Sequence, residues 1–147
     1  MTDDIASRLG AVLGACFNRG TVSEEVIAEA EAKLGLLFPP SYRIFLSHFG
    51  ASFGDGIEVY GLDPSLKPGE MPQWSDVVES TLLLRPDSLP KNSIEISHDG
   101  AEFGYFLRCS KTDPGFEGPV IEWGPAHDGG KVVFASFLES VEARFCS

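Results

Sequence analysis

The sequence predicts an α+β domain: N-terminal helices, then a mainly antiparallel sheet of four or more strands, then a closing C-terminal helix. Three observations carry the prediction. Apolar residues recur at helical spacing as far as Gly50. Beyond it the period moves towards alternation, with glycine-rich turns between short apolar runs. The last stripe, Phe137, Leu138, Val141 and Phe145, is helical again. Segregated helices and strands fit an α+β architecture, whereas a doubly wound parallel sheet alternates them. With 147 residues, 43% apolar and 22% charged, the chain has room for one globular domain, residues 1–147. A chain of this size buries about 70% of its unfolded surface and needs no disulfide or metal to hold it together.

Ile5, Leu9, Val12, Leu13 and Cys16 predict a helix over roughly 3–18, capped by Thr2 or Asp3, with Gly20 beyond its end. Gly10 and Gly14 weaken it by about 1 kcal/mol each. A second helix is expected over 23–34. Thr21-Val22-Ser23-Glu24 fits a capping box, and Ser23 before Glu24 and Glu25 offers an alternative cap. Its stripe is Val26 or Ile27, Ala30 and Leu34, and Gly35 sits where a left-handed C-terminal residue belongs. Pro39-Pro40 opens a third helix, because proline is tolerated in a first turn. Tyr42, Phe45, Leu46 and Phe49 fall on one face of it, expected against the sheet, and Gly50 ends it.

Gly54-Asp55-Gly56 then reads as a turn into a strand carrying Ile57, Val59 and Tyr60. Residues 63–72 read as a proline-rich loop. Trp74, Val77, Val78, Thr81 and Leu82 return to helical spacing with Ser75 as cap, although Leu82-Leu83-Leu84 also suits a strand. Ile94 and Ile96 alternate with polar residues, and His98-Asp99-Gly100 signals a turn. Further strands are expected over 104–109, 120–123 and 131–135, the last two joined by Asp128-Gly129-Gly130. Ser136 caps the final helix.

The charge balance is 22 acidic against 11 basic residues, a net charge of −11. A coat of that sign repels nucleic-acid phosphates and anionic membrane surfaces. It favours solubility and steered encounter with a basic partner, although many chains are acidic for solubility alone. Three cysteines, Cys16, Cys109 and Cys146, with no CxxC spacing, supply neither a disulfide framework nor a zinc or thioredoxin-type site. Reduced, buried thiols suit a reducing cytosol. Met1-Thr2-Asp3-Asp4 lacks the basic start and apolar run of a signal peptide, and no stretch reaches ~18 continuous apolar residues. The expectation is a soluble, cytoplasmic protein that engages neither nucleic acid nor membrane.

Catalytic patterns are thin. Gly50-Ala51-Ser52-Phe53-Gly54 matches G-x-S-x-G, and Asp99 and His127 follow in triad order. The elbow motif works on a strand-to-helix turn, which lifts the serine over a parallel sheet. Here a helix precedes and a strand follows, so the segment is predicted as a glycine-rich helix-to-strand turn. A small hydrolase using Ser52 is the remote alternative. His48, His98 and His127 have no second ligand at i+3 or i+4, and there is no HExxH, P-loop or dinucleotide fingerprint. No metal or cofactor is expected. Asp3-Asp4 and Glu24-Glu25 lie at helix starts, where they complement the dipole.

Two acidic stretches stand out. Asp55, Glu58 and Asp63 lie between Arg43 and Lys67 with no basic residue among them; Asp113, Glu117, Glu122 and Asp128 lie likewise between Lys111 and Lys131. Tyr60 and Trp123 are interleaved with them. Carboxylates beside aromatics suit a protein interface, in which the ring anchors and the charge sets register and on-rate. The plainer reading is solvated loops, with Trp123 in the core. Candidate partner-binding residues are Asp55, Glu58, Tyr60, Asp99, Glu102, Glu117, Glu122 and Asp128, taken from loops and strand ends where binding residues concentrate.

Residues 23–51 resemble the signature of the SUKH superfamily (Smi/Knr-type proteins). The matching residues are Glu31, Leu34, Gly35, Phe38, Pro39, Tyr42, Arg43, Phe45, Leu46 and Gly50. Leu89-Pro90, Ile94 and Ile96, Asp99-Gly100, Pro119-Val120 and Ala135-Ser136-Phe137-Leu138-Glu139 extend the likeness over about 21–145 and leave 1–20 as an additional N-terminal helix. Physically the motif is a folding signature: Leu34 and Gly35 stop one helix, and Phe38 and Pro39 fix the entry of the next. The resemblance implies a non-enzymatic protein-binding domain. Bacterial members resemble immunity proteins that neutralise polymorphic toxins, often nucleases, and fungal relatives act in cell-wall regulation through partners. The expectation is a cytoplasmic immunity protein that occludes a basic toxin domain with an acidic surface. The alternative is a regulatory or scaffold module on the same fold.

Overall fold

A computed structural model describes residues 2–54, 56–63, 76–85, 89, 91–99, 103–124 and 127–145; the side chains at 2, 3, 84 and 127–129 are not described. In chain order the elements are α1 (Thr2–Leu13), β1 (Phe17–Asn18), α2 (Glu24–Leu34), α3 (Pro40–His48), β2 (Ser52–Gly54), β3 (Ile57–Val59), α4 (Val77–Leu84), β4 (Ser93–His98), β5 (Gly104–Arg108), β6 (Val120–Gly124), β7 (His127–Phe134) and α5 (Phe137–Phe145). The strands form two antiparallel sheets, β1-β2-β3 and β4-β5-β6-β7. The α+β class, the N-terminal helices and the closing helix are as the sequence predicts.

Helix α1 stops earlier than its apolar period predicts. The Asn18 amide donates to the carbonyls of Leu13 (3.0 Å) and Cys16 (3.3 Å), satisfying acceptors at the helix end. Phe17 and Asn18 leave to pair with Phe53 and Ser52. The expected continuation to residue 18 is therefore a strand, and the expected turn over 50–54 contains its partner, β2. Helix α2 follows the prediction with Ser23 as its cap: its Oγ accepts the Val26 amide at 3.3 Å. Gly35, at φ 68°, closes it in a Schellman arrangement, with Gly35 N–H donating to Ala32 and Leu36 N–H to Glu31.

The core is built around α3. Tyr42 and Phe45 are fully buried, and the Phe137 ring lies 5.0 Å from Tyr42 and 5.2 Å from Phe45. Helix α3 packs against α1, α2 and α5, and its apolar face belongs to the same core cluster as the sheet side chains Ile94, Ile96 and Leu107. Phe49 is only partly buried. Side chains on the reverse face of the larger sheet form a second cluster, Leu89, Phe106 and Ile121, against which Trp123 is half-buried; Trp123 is thus outside the main core where the plainer reading put it.

Helix α4 starts at Val77 with Asp76 as its cap; the expected cap Ser75, with Trp74, lies outside the described residues, as do residues 64–72 of the expected loop. The Leu82-Leu83-Leu84 run is helical. Helix α4 protects the open edge of β4, since Thr81 Oγ1 accepts the Glu95 amide at 2.9 Å. The same strand receives the Tyr60 amide on Ile96 O at 2.7 Å, and Ser97 Oγ donates to Glu58 O at 2.6 Å, which seats the small sheet against the large one. Strand β7 begins at His127, so Asp128-Gly129-Gly130 lie within the strand and not in the expected connection.

Candidate functional site

The signature residues converge on the step between α2 and α3. Glu31, only 8% exposed, accepts the Phe38 amide at 2.7 Å through Oε2 and pairs with Arg43 Nη1 at 2.6 Å through Oε1. One carboxylate thus fixes the backbone ahead of Pro39 and the first turn of α3. Hydrogen bonding to Glu31, with its charge, raises the Arg43 guanidinium above its ordinary value. The Tyr42 hydroxyl donates to Tyr60 O at 2.6 Å and ties α3 to the exit of β3. Leu46 is fully buried, Leu34 packs at the margin of the core, and Gly50 adopts φ 75°. Every one of these contacts is internal.

The acidic candidates are distributed. Glu117 reaches α3: its Oε2 accepts the Ser41 amide at 3.0 Å and its Oε1 the Ser41 hydroxyl at 2.8 Å. Pro39 has no side chain able to cap that helix, so a carboxylate from a distant loop does so and complements the dipole. Glu117→Ala is expected to lower stability by about 1–2 kcal/mol in urea denaturation; an unchanged midpoint would remove Glu117 from this role.

Glu122 on β6 accepts the Tyr105 hydroxyl at 3.0 Å from the residue directly opposite on β5. Arg144 from α5 lies 4.4 Å over the same ring. Burial raises the Tyr105 phenol, with the Glu122 hydrogen bond adding to it, and burial lowers the Arg144 guanidinium. Asp99 adds a smaller electrostatic influence on both. The Asp99 carboxylate also accepts the Phe103 amide at 3.0 Å. Glu58 is half-exposed on β3. Tyr60, just after it, is half-buried, and burial pushes its phenol up to about 12. Asp55 and Glu102 lie outside the described residues, and Asp128 is placed by its backbone alone.

Ser52 does not stand on a strand-to-helix elbow. It opens β2, is 3% exposed, and its hydroxyl donates to Asn18 Oδ1 across the β1–β2 pair. Among the described residues no group of three or more His, Cys, Asp or Glu side chains is placed to hold a metal ion. No helix among them is long and apolar enough to cross a membrane. Cys109 is fully buried, and burial pushes its thiol up to about 12.

Sequence reasoning missed a buried carboxylate, because alternation on β4 marks Glu95 as solvent-facing. Glu95 is 2% exposed, with Ser80 Oγ donating to it at 2.8 Å. Burial raises its pKa above the ordinary 4.5, and burial likewise raises Asp76 above 3.8. A group whose folded pKa is raised contributes stability below its unfolded pKa and loses it as pH rises through the folded value. The thermal midpoint is therefore expected to be higher near pH 5 than at pH 7.5, in the direction opposite to acid denaturation. Glu95→Gln should flatten this rise, which separates it from the general relief of charge repulsion; an unaltered pH profile in that variant would exclude Glu95 as its source.

The fold and its signature define a small α+β protein in which the recognisable motif stabilises the scaffold and the acidic side chains are carried on strands and loops around it. A family model described as SUKH_5, SMI1-KNR4 cell-wall, matches residues 7–145. The chain belongs to the SUKH superfamily. The match begins within α1, whose Leu9 and Leu13 are fully buried in the core. No curated protein matches the chain.

Proposed function

We propose that the chain is a cytoplasmic, non-enzymatic immunity protein that neutralises a cognate toxin domain, such as a nuclease, by occluding it. The observation that carries this reading is the family match over nearly the whole chain. The net charge of −11 supports the mechanism, because carboxylates can imitate the charge of a nuclease substrate and steer a basic domain into contact. The engagement of Ser52 with Asn18, away from any elbow, agrees with a body that binds without turning over a substrate.

The test is co-expression with the toxin domain encoded beside this chain's gene, followed by association kinetics at several salt concentrations. Restored growth with association that slows as salt rises supports the reading. Failure to restore growth sends the chain to the regulatory or scaffold class. Restored growth with salt-independent association keeps immunity and removes the acidic mechanism.

A further inference from the structure

The small sheet turns an aromatic pair to solvent. Phe17 on β1 stands opposite Phe53 on β2, and Glu58 on β3 faces Phe53 in the same row. Side chains alternate across a sheet, so one row shares one face. The adjacent row, Asn18, Ser52 and Val59, turns inward, with Ser52 and Val59 buried. Phe17 is 62% exposed and Phe53 51%. Directly opposed residues have Cβ atoms about 4.5–5.5 Å apart, so Phe17 and Phe53 are neighbours on one exposed face. The Arg19 guanidinium lies 5.4 Å from the Phe17 ring centroid and extends its margin. Isolated exposed apolar residues are ordinary; two aromatics side by side, with a carboxylate in line, form the centre and rim of a contact surface.

We propose that the Phe17–Phe53 row is the anchor of a docking surface for a basic polypeptide, with Glu58 as its ion-pairing flank. This rests on the protein-binding reading above and names the face that performs it. Charge selects the occupant. Two copies of this chain would each bring −11 to the contact, a net repulsion that a basic polypeptide does not meet. Nucleic acid and anionic membrane are repelled by the same field. A basic polypeptide supplies what the row lacks: an apolar side chain to cover the rings and a Lys or Arg to meet Glu58, with a second cation able to sit over a ring face.

The experiment places photoreactive benzoylphenylalanine at position 17 or 53 of the full chain in the cells that make it, with the exposed Lys111 position as control. The captured polypeptide is identified by mass spectrometry. It is then titrated against the unmodified chain and the Phe17→Ser/Phe53→Ser, Phe53→Tyr and Glu58→Gln variants at low and high salt. The expected result is one basic polypeptide captured from 17 and 53 but not from 111. The double serine variant should bind at least about tenfold more weakly. Phe53→Tyr should retain binding, and Glu58→Gln should slow association and flatten its salt dependence. Both phenylalanines are more than half exposed, so the serine variant is expected to keep its fold, which circular dichroism checks. Adducts only between copies, no adduct at either position, an acidic partner, or unchanged affinity in the folded double variant would each overturn the assignment. A basic partner that is not a toxin keeps this surface and removes the immunity reading. A toxin captured only from the control position does the reverse.

Discussion

Replacing Gly50 by alanine is expected to lower stability by about 3 kcal/mol, against about 1 kcal/mol for the same change at Gly35. The two glycines share a left-handed backbone, at φ 75° and 68°. A Cβ carries the ordinary penalty for that region at both. Their surroundings differ. Around Gly35 nothing lies within 4 Å of an added Cβ, so its cost stops there. At Gly50 the new carbon would be driven into the carbonyl oxygen of Gly20, with the Leu62 carbonyl at 3.2 Å. Those groups have no slack: Gly20 N–H donates to Phe49 O and Leu62 N–H to Gly50 O, both at 2.9 Å. Three passes of the chain cross at this point, the end of α3, the segment after β1 and the exit of β3. Moving any of them disturbs the α3 aromatic cluster and the small sheet together. Urea unfolding of the two variants measures the difference directly; equal losses would mean that conformation alone, and not the crossing, requires glycine at position 50.

The same comparison explains what was readable in the sequence. Gly35 and Gly50 announce helix ends because their role is local, and so do Ser23, Pro40 and Ser136. The crossing that makes Gly50 irreplaceable is not local, and no spacing reports it. The helix predicted over 3–18 overruns Phe17 for a related reason. Between Leu13 and Gly20 the residues suit a helical stripe, and only Asn18 turning back onto Leu13 O ends the helix. Once that happens Phe17 faces solvent and becomes half of the exposed pair with Phe53. The acidic candidates are readable as a charge but not as a surface. Glu117 bonds Ser41, seventy-six residues earlier in the chain, and Glu122 finds Tyr105 only because β5 and β6 are neighbours. Alternation placed Glu95 at the surface because it cannot foresee that α4 covers the edge of β4.

Glu31→Ala is expected to cost about 3 kcal/mol, the second large effect. The variant leaves the buried Phe38 N–H without its 2.7 Å acceptor and takes from Arg43 its better-buried partner. The remaining partner, Glu24, is 74% exposed at the side chain and pairs at 2.9 Å, so Glu24→Gln should fall within about 0.5 kcal/mol of the parent. Glu31→Gln keeps one oxygen for Phe38 N–H and loses the charge facing Arg43, so its loss should be intermediate, about 1–2 kcal/mol. Replacing both Glu31 and Arg43 by leucine should cost less than the sum of the single replacements, because no charge is then stranded. Additive losses would show that the two side chains act independently. The series also separates folding from recognition. Glu31 is only 8% exposed, so a variant held below its melting temperature should bind the partner with the parent's affinity while unfolding at lower urea. A loss of affinity in that folded variant would place the signature itself within the interaction surface, which its burial and its internal bonds argue against.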